Sequence, residues 1–389
     1  EAPFPDEVAD PDDLIKQEDL DEMTEAARSK KMREQAKKKQ VKYWVSWDSF
    51  EQRVGHGKWM AMSTSVDQTV KLWDVEANDC RSTFHGLHEA TVRVAFMDKE
   101  KKRALTGAMD GSLCLWDLEL CTSIGSYLSQ KYGAMLSIAA DFDRQRAATG
   151  TGEGWLVIWQ VAGGLKSLKE IHAHEGSKVS FVQVDWELNR AVTAADDGRI
   201  RVWDIETGSI KGTYDAHLSD ITSVVVDFLG NKCLSGSDDG EIHLWHLNHF
   251  TTLQKYEGHT DRITNFSADL PRGQAASSSN DQTVRVWDMR KAKCSAHLEG
   301  HAEAVRDVAV DWKKSVAFSA SDDCTVKVWD LADGGSCRCT LEGHMDRVTH
   351  LSPHWEKDRL LSASDDYTMR LWNLETMDIE ETLWGHSAR

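Results

Sequence analysis

The chain's 16 His, eight Cys and 64 acidic residues could in principle bind metals, move protons or supply nucleophiles, and their spacing decides which of these is open. A transition-metal site needs imidazoles, thiolates or carboxylates converging on one point. His172 with His174, and the trio His243, His246 and His249, come nearest to that pattern. In the trio, strand side chains alternate faces, so His243 and His246 point apart. Cys337 and Cys339 lack the two-residue gap of a zinc knuckle. No Gly-rich phosphate loop, nucleophile elbow or zinc-protease helix motif occurs. The acid pairs Asp238-Asp239, Asp322-Asp323 and Asp365-Asp366 could act as general acid and base, but they recur at one phase, as turns do. No catalytic, cofactor or metal site is expected, and the chain reads as a non-enzyme.

That recurrence points to the elements that hold these residues. A Trp returns at positions 73, 116, 159, 203, 245, 287, 329 and 372, at intervals of 42 to 44 residues, the length of one four-stranded propeller blade. Each Trp ends an alternating strand, as in Thr-Val-Arg-Val-Trp-Asp at 283–288. Ten residues earlier stands a hydroxyl in every unit: Ser63, Thr106, Thr149, Thr193, Ser235, Ser277, Ser319 and Ser362. Six residues earlier stands an acid: Asp67, Asp110, Glu153, Asp197, Asp239, Asp281, Asp323 and Asp366. An acid there suits a tight turn, where it accepts backbone N–H groups. At 28 or 29 residues before the Trp, six units have a His: His88, His174, His217, His259, His301 and His344.

With Gly258-His259, Gly300-His301 and Gly343-His344 opening units that close on Trp-Asp or Trp-Asn, the chain resembles the WD40-repeat family over residues 43–386. The resemblance implies a buried hydrogen-bonded tetrad of His, Ser or Thr, Asp and Trp in each blade. The full set is present in the units ending at Trp116, Trp203, Trp245, Trp287, Trp329 and Trp372. The unit ending at Trp159 has Lys131 in place of the His and Glu153 in place of the Asp, and the first unit has no His in frame. Those two blades are expected to be looser or held by something else.

The expected fold is all-β: an eight-bladed propeller over 43–389, with seven blades the alternative, preceded by a helical arm over 1–42. Trp47-Asp48, a strand from Lys58 to Ser65, and Trp73-Asp74 make the first unit a true repeat. Gly385-His386 follows the last outer strand and is expected to cap the first blade, closing the ring without a shared strand. In the arm, Asp12 to Gln40 contains neither Pro nor Gly, and acids precede bases, which suits a helix and its dipole. The arm reads either as a solvated tail or as a helix that docks a partner or straps the first blade.

A net charge of −18 disfavours a general grip on phosphate backbones, so direct nucleic-acid binding is not expected. No apolar run approaches the roughly 18 residues that cross a bilayer, so no membrane insertion is expected. The Cys residues at 80 and 294 lie seven residues after a repeat Trp, with Cys121 and Cys337 near that phase. They read as small buried residues on equivalent strands, which places the chain in a reducing compartment, cytoplasmic or nuclear. An organelle reached through a removed targeting peptide is the alternative. The expected role is a scaffold that binds proteins in a multisubunit assembly through the propeller faces and the arm. Candidate partner-binding residues are Asp220, Arg262 and Arg347, three after the repeat His, and Gln282 and Tyr367, one after the turn acid. Arg290 closes Trp287-Asp288-Met289-Arg290, which resembles the box by which substrate receptors engage a cullin ubiquitin-ligase adaptor. An eight-bladed quinone-dependent dehydrogenase is a further alternative, although its repeat signature differs.

Overall fold

A computed structural model of the chain describes residues 44–45, 60–98 and 100–386. The arm, Trp47-Asp48 and Lys58 lie outside these residues. Within them the chain forms eight sheets, each an antiparallel meander of four consecutive strands. The first blade comprises Trp44–Val45, Met60–Thr64, Val70–Asp74 and Asp79–Phe84. The first strands of the other seven are Val92–Asp98, Met135–Asp141, Val179–Asp185, Ile221–Asp227, Ile263–Asp269, Val305–Asp311 and Val348–His354. Each touches the first strand of the next blade, and that of blade eight touches that of blade one, so eight blades close a ring.

Composition follows position within a blade. The second strand lies between neighbouring sheets and is built from small residues, such as Ala275, Ala276, Ser277, Ser278 and Ser279, all buried. Small side chains let adjacent sheets approach closely. The fourth strand is an outer edge with polar residues at its exposed positions, as in Lys293–Leu298. In all eight blades the pairing of third and fourth strands shifts register immediately before the repeat Trp. This bulge adds local twist at the anchor residue.

Inside the ring, the residue 22 before the Trp links first strands across blades. Ser137 Oγ accepts from Val182 N–H at 2.9 Å. Ser223 Oγ donates to Asn265 Oδ1 at 3.1 Å, and Asn265 Nδ2 donates to Asp307 Oδ1 at 2.7 Å. Asp307 Oδ2 in turn accepts from Leu351 N–H at 2.8 Å.

An aromatic follows the first strand in several blades and packs against the preceding blade. Phe142 meets Phe96 at 6.0 Å and Trp355 meets Phe318 at 5.8 Å between ring centroids. The Arg190 guanidinium lies 5.2 Å from the Phe228 ring. The cysteines depart from the expected pattern. Cys114 and Cys233 are buried on second or third strands, but Cys337 is exposed and Cys121 sits in a turn at φ 52°. Cys337 lies on the outer strand Ser336–Leu341 and Cys121 in the turn that leads to such a strand, both at the rim, where a Cys need not be buried.

Candidate functional site

In each blade the loop leading into the first strand and the turn between the second and third strands share one edge. Backbone bonds tie the two together, including Asp238 N to Asp220 O, Asn280 N to Arg262 O and Asp365 N to Arg347 O. This edge of all the blades makes one face of the ring.

Just beneath that face every repeat Trp donates its indole N–H to the hydroxyl ten residues earlier, at 2.7 to 2.9 Å. In six blades the leading-loop imidazole meets the same hydroxyl through Nε2: His88, His174, His217, His259, His301 and His344, at 2.7 to 2.9 Å. Nδ1 then meets the turn acid in His174–Asp197, His217–Asp239, His259–Asp281, His301–Asp323 and His344–Asp366. Burial would raise the Asp366 carboxyl, but His344, Thr368 Oγ and Met345 N–H outweigh it and bring it to about 2. Blade two is wired differently: His88 Nδ1 meets Ser112 Oγ at 2.5 Å, and Ser112 passes the contact on to Asp110. Burial holds His88 down at about 4, Asp110 opposing.

The two units without a repeat His are each completed by another group. In blade one, His386 Nε2 meets Ser63 Oγ at 2.7 Å and Nδ1 meets Asp67 Oδ2 at 3.0 Å. Ala61, Trp73 and Val75 of that blade share an apolar cluster with Leu361, Met369, Leu371 and Leu383 of blade eight. In blade three, Tyr132 takes the place of the imidazole. Its ring lies 6.1 Å from Trp159, as His301 does from Trp329. Burial, with hydrogen bonds to Glu170 and Tyr127, pushes its phenol well above the ordinary range. Lys131 pairs with Glu170 and lies over Trp155 at 4.3 Å. Both blades are thus held by another group: the first by His386, as its place in the repeat phase predicts, and the third by Tyr132, which the repeat frame does not show.

Blade five carries a further departure. His243, on its third strand Ile242–His246, stacks on His217 with centroids 4.3 Å apart and planes 18° apart. His243 Nε2 meets Glu241 Oε2 at 2.8 Å. Burial and the neighbouring His243 ring hold His217 at about 4, Asp239 opposing. His246 and His249 pack on each other instead, at 4.4 Å.

The sequence profile "WD domain, G-beta repeat" matches residues 55–74, 165–204, 208–246, 250–288, 292–330 and 335–373, more than half of the chain. The chain belongs to the WD40-repeat family. Each WD40 match ends one residue past an anchor Trp, and the unmatched stretch 75–164 holds blade two and the first three strands of blade three, the blades whose tetrads are rewired. A solved structure of a computationally designed protein, Ika8, is similar to the chain at TM-score 0.71 and 25% identity, covering 85% of this chain and 95% of that one. No curated protein matches the sequence significantly. WD40 propellers are typically protein-interaction scaffolds and are generally non-catalytic. Among the described residues no helix is long and apolar enough to cross a membrane.

Asp220, Arg262, Gln282 and Arg347 are exposed on the leading-loop face. Arg262 Nε pairs with Asp238 at 3.0 Å. Arg290 is exposed on the opposite edge, in the turn after Trp287-Asp288. Tyr367 differs from expectation. Only 8% of it is exposed, and burial pushes its phenol up to about 12, so it presents little surface to a partner. Gln282 has the same φ of 71° and stays exposed, so it is the apolar ring of Tyr367 and not its backbone that turns the side chain inward. Leu218, beside His217, is wholly exposed on the same face as Asp220 and was not singled out by spacing. A lone exposed Leu carries no repeat signal. At the seam between blades eight and one, a cavity of about 660 Å³ is lined by Glu76, Lys357, Arg359, Glu380 and Glu381 among others. Its ionic lining is unlike that of apolar ligand pockets.

Proposed function

We propose that the protein is a non-catalytic scaffold in a multisubunit assembly, and that its leading-loop face takes a basic, partly apolar segment of a partner protein. The observation that carries this is the crowding of acids around Asp220, two residues from the exposed Leu218. Burial first, then the nearby Asp220, raises the Asp196 carboxyl against the opposing Lys178, Arg262 and Arg93. Burial also raises Asp238, Arg262 opposes, and Asp220, Asp239 and Asp261 add to the rise. Like charges that disfavour one another's ionisation mark a surface that a cationic partner complements. Leu218 supplies an apolar anchor within it. Rigid backbone ties behind these loops reduce the ordering cost of binding. Eight Cys with no disulfide among the described residues fit a reducing compartment, cytoplasmic or nuclear.

Native purification of the full chain, with mass spectrometry of what accompanies it, tests this reading. A specific protein partner is expected, retained by Arg290→Ala and lost in the double variant Leu218→Asp, Asp220→Lys. A chain that purifies alone, or whose partner is indifferent to the double variant, removes the proposed face. Capture of a ubiquitin-ligase adaptor that depends on Arg290 would assign the receptor role instead.

A further inference from the structure

We propose that blade five holds a divalent transition-metal ion of the zinc class, ligated by His217, His243 and Glu241, with Asp239 beside them. One ligand atom from each of the three residues lies within 4.8 Å of the others. Borderline metals favour this mixture of imidazole nitrogen and carboxylate oxygen.

The comparison with the other blades isolates two changes. Four residues before the Trp, Thr69, Ser112, Thr283, Thr325 and Thr368 donate a hydroxyl to the turn acid. Blade five has Glu241 at that place, and its backbone N–H still meets Asp239 Oδ1 at 2.8 Å. Two residues before the Trp, blades four, six and eight carry Arg201, Arg285 and Arg370, and blades one and seven carry Lys71 and Lys327. Arg201 reaches the turn acid Asp197 at 3.0 Å. Blade five has His243 instead. A hydroxyl and a basic residue have thus been exchanged for a carboxylate and an imidazole at the same place, so Asp239 has no counterpart of the Arg201 that reaches Asp197 in blade four.

His243 is the independent observation. Its side chain is 2% exposed, and its Nδ1 is buried with no hydrogen-bond partner among the described residues. A buried polar nitrogen without a partner is rare and calls for a ligand or a function. A metal binds in the plane of an imidazole, so one of the two stacked rings must turn out of the stack as the ion enters. His217 is held by Ser235 at Nε2, so a metal would take Nδ1, which now meets Asp239 Oδ2 at 3.2 Å, and Asp239 would move beside the ion. Lys255 Nζ lies 3.7 Å from Glu241 Oε2, but its side chain is 56% exposed on the outer strand and can withdraw as the ion enters. The ion would pin the leading loop to the third strand, at the edge where partner contacts are proposed.

Titration of the tag-free, chelator-stripped full chain with cobalt(II) reads the site through its visible d–d bands, and zinc displaces the cobalt. One ion per chain is expected, with zinc raising the melting temperature. Glu241→Thr and His243→Arg restore residues that other blades carry, so both variants should fold. Each is expected to weaken binding by roughly 100-fold or more, while His249→Ala leaves it unchanged. Absence of saturable one-to-one binding, or undiminished binding in Glu241→Thr, overturns the proposal. Should His243→Arg misfold by circular dichroism, Glu241→Thr decides alone.

Discussion

An indole N–H, a hydroxyl and an imidazole in series do little for stability by themselves, since a satisfied hydrogen bond contributes about 1 kcal/mol net. Burying a Trp removes some 150–250 Å² from water, worth roughly 4–6 kcal/mol at about 25 cal/mol per Å². Packing therefore stabilises each blade, and the tetrad selects its register. The tetrads also set a pH response. His88 and His217 are both held at about 4 by burial, below the ordinary value near 6.5. A lowered imidazole favours the folded state while neutral, so its contribution is complete above about pH 6.5 and is lost as the pH falls towards 4. Asp366, brought down to about 2, loses its contribution only below the ordinary carboxylate range. Urea denaturation should show stability falling from pH 7 to pH 4, on the order of 3 kcal/mol for each of the two imidazoles. A flat profile over that range would contradict the burial of these neutral rings.

At the scale of the element, the turn between second and third strands places the residue after its acid at positive φ in every blade. Gly111, Gly154, Gly198 and Gly240 hold the position in four, and Gln68, Gln282, Cys324 and Tyr367 in the others. At Gly198, φ is 70° and a Cβ would stand 2.4 Å from the His217 carbonyl oxygen. Gly198→Ala is expected to destabilise the protein by about 1–3 kcal/mol. Gln282→Gly, at φ 71°, relieves strain and is expected to be neutral or stabilising by up to about 1 kcal/mol. Equilibrium unfolding of the two variants checks the contrast, and equal effects would refute it. This scale also divides what the sequence makes legible from what it does not. Hydroxyl, acid and Trp recur at fixed offsets along one strand pair, so their meeting is readable from spacing. Tyr132 stands one residue out of the His frame, and its equivalence to an imidazole depends on where its ring lies. His217 and His243 are 26 positions apart and meet only because the leading loop folds over the third strand. Reading along a single strand links His243 with His246 and overlooks that pairing.

For the whole molecule, blade count was legible because His386 continues the repeat phase past the last Trp and the first unit lacks a His to match. What sequence does not supply is the strength of the join. It rests on His386, on the apolar cluster shared by blades one and eight, and on the Lys357–Glu76 ion pair. His386→Ala leaves Ser63 and Asp67 without their imidazole, at a cost of about 1–3 kcal/mol. Hydrogen exchange should then quicken first in 60–64 and 379–384. Uniform loss of protection around the ring would show that the seam is no weaker than any other junction.

The same join orders events during synthesis. Ser63 and His386 are separated by 323 positions, and translation at about 5–20 residues per second puts roughly 15–65 s between them. For that interval blade one faces water across an open edge, with Trp73 and Thr69 already on its hydroxyl and carboxylate but no imidazole between them. Every other blade with its own imidazole can settle as it leaves the ribosome, so the first sheet made is the last to be sealed.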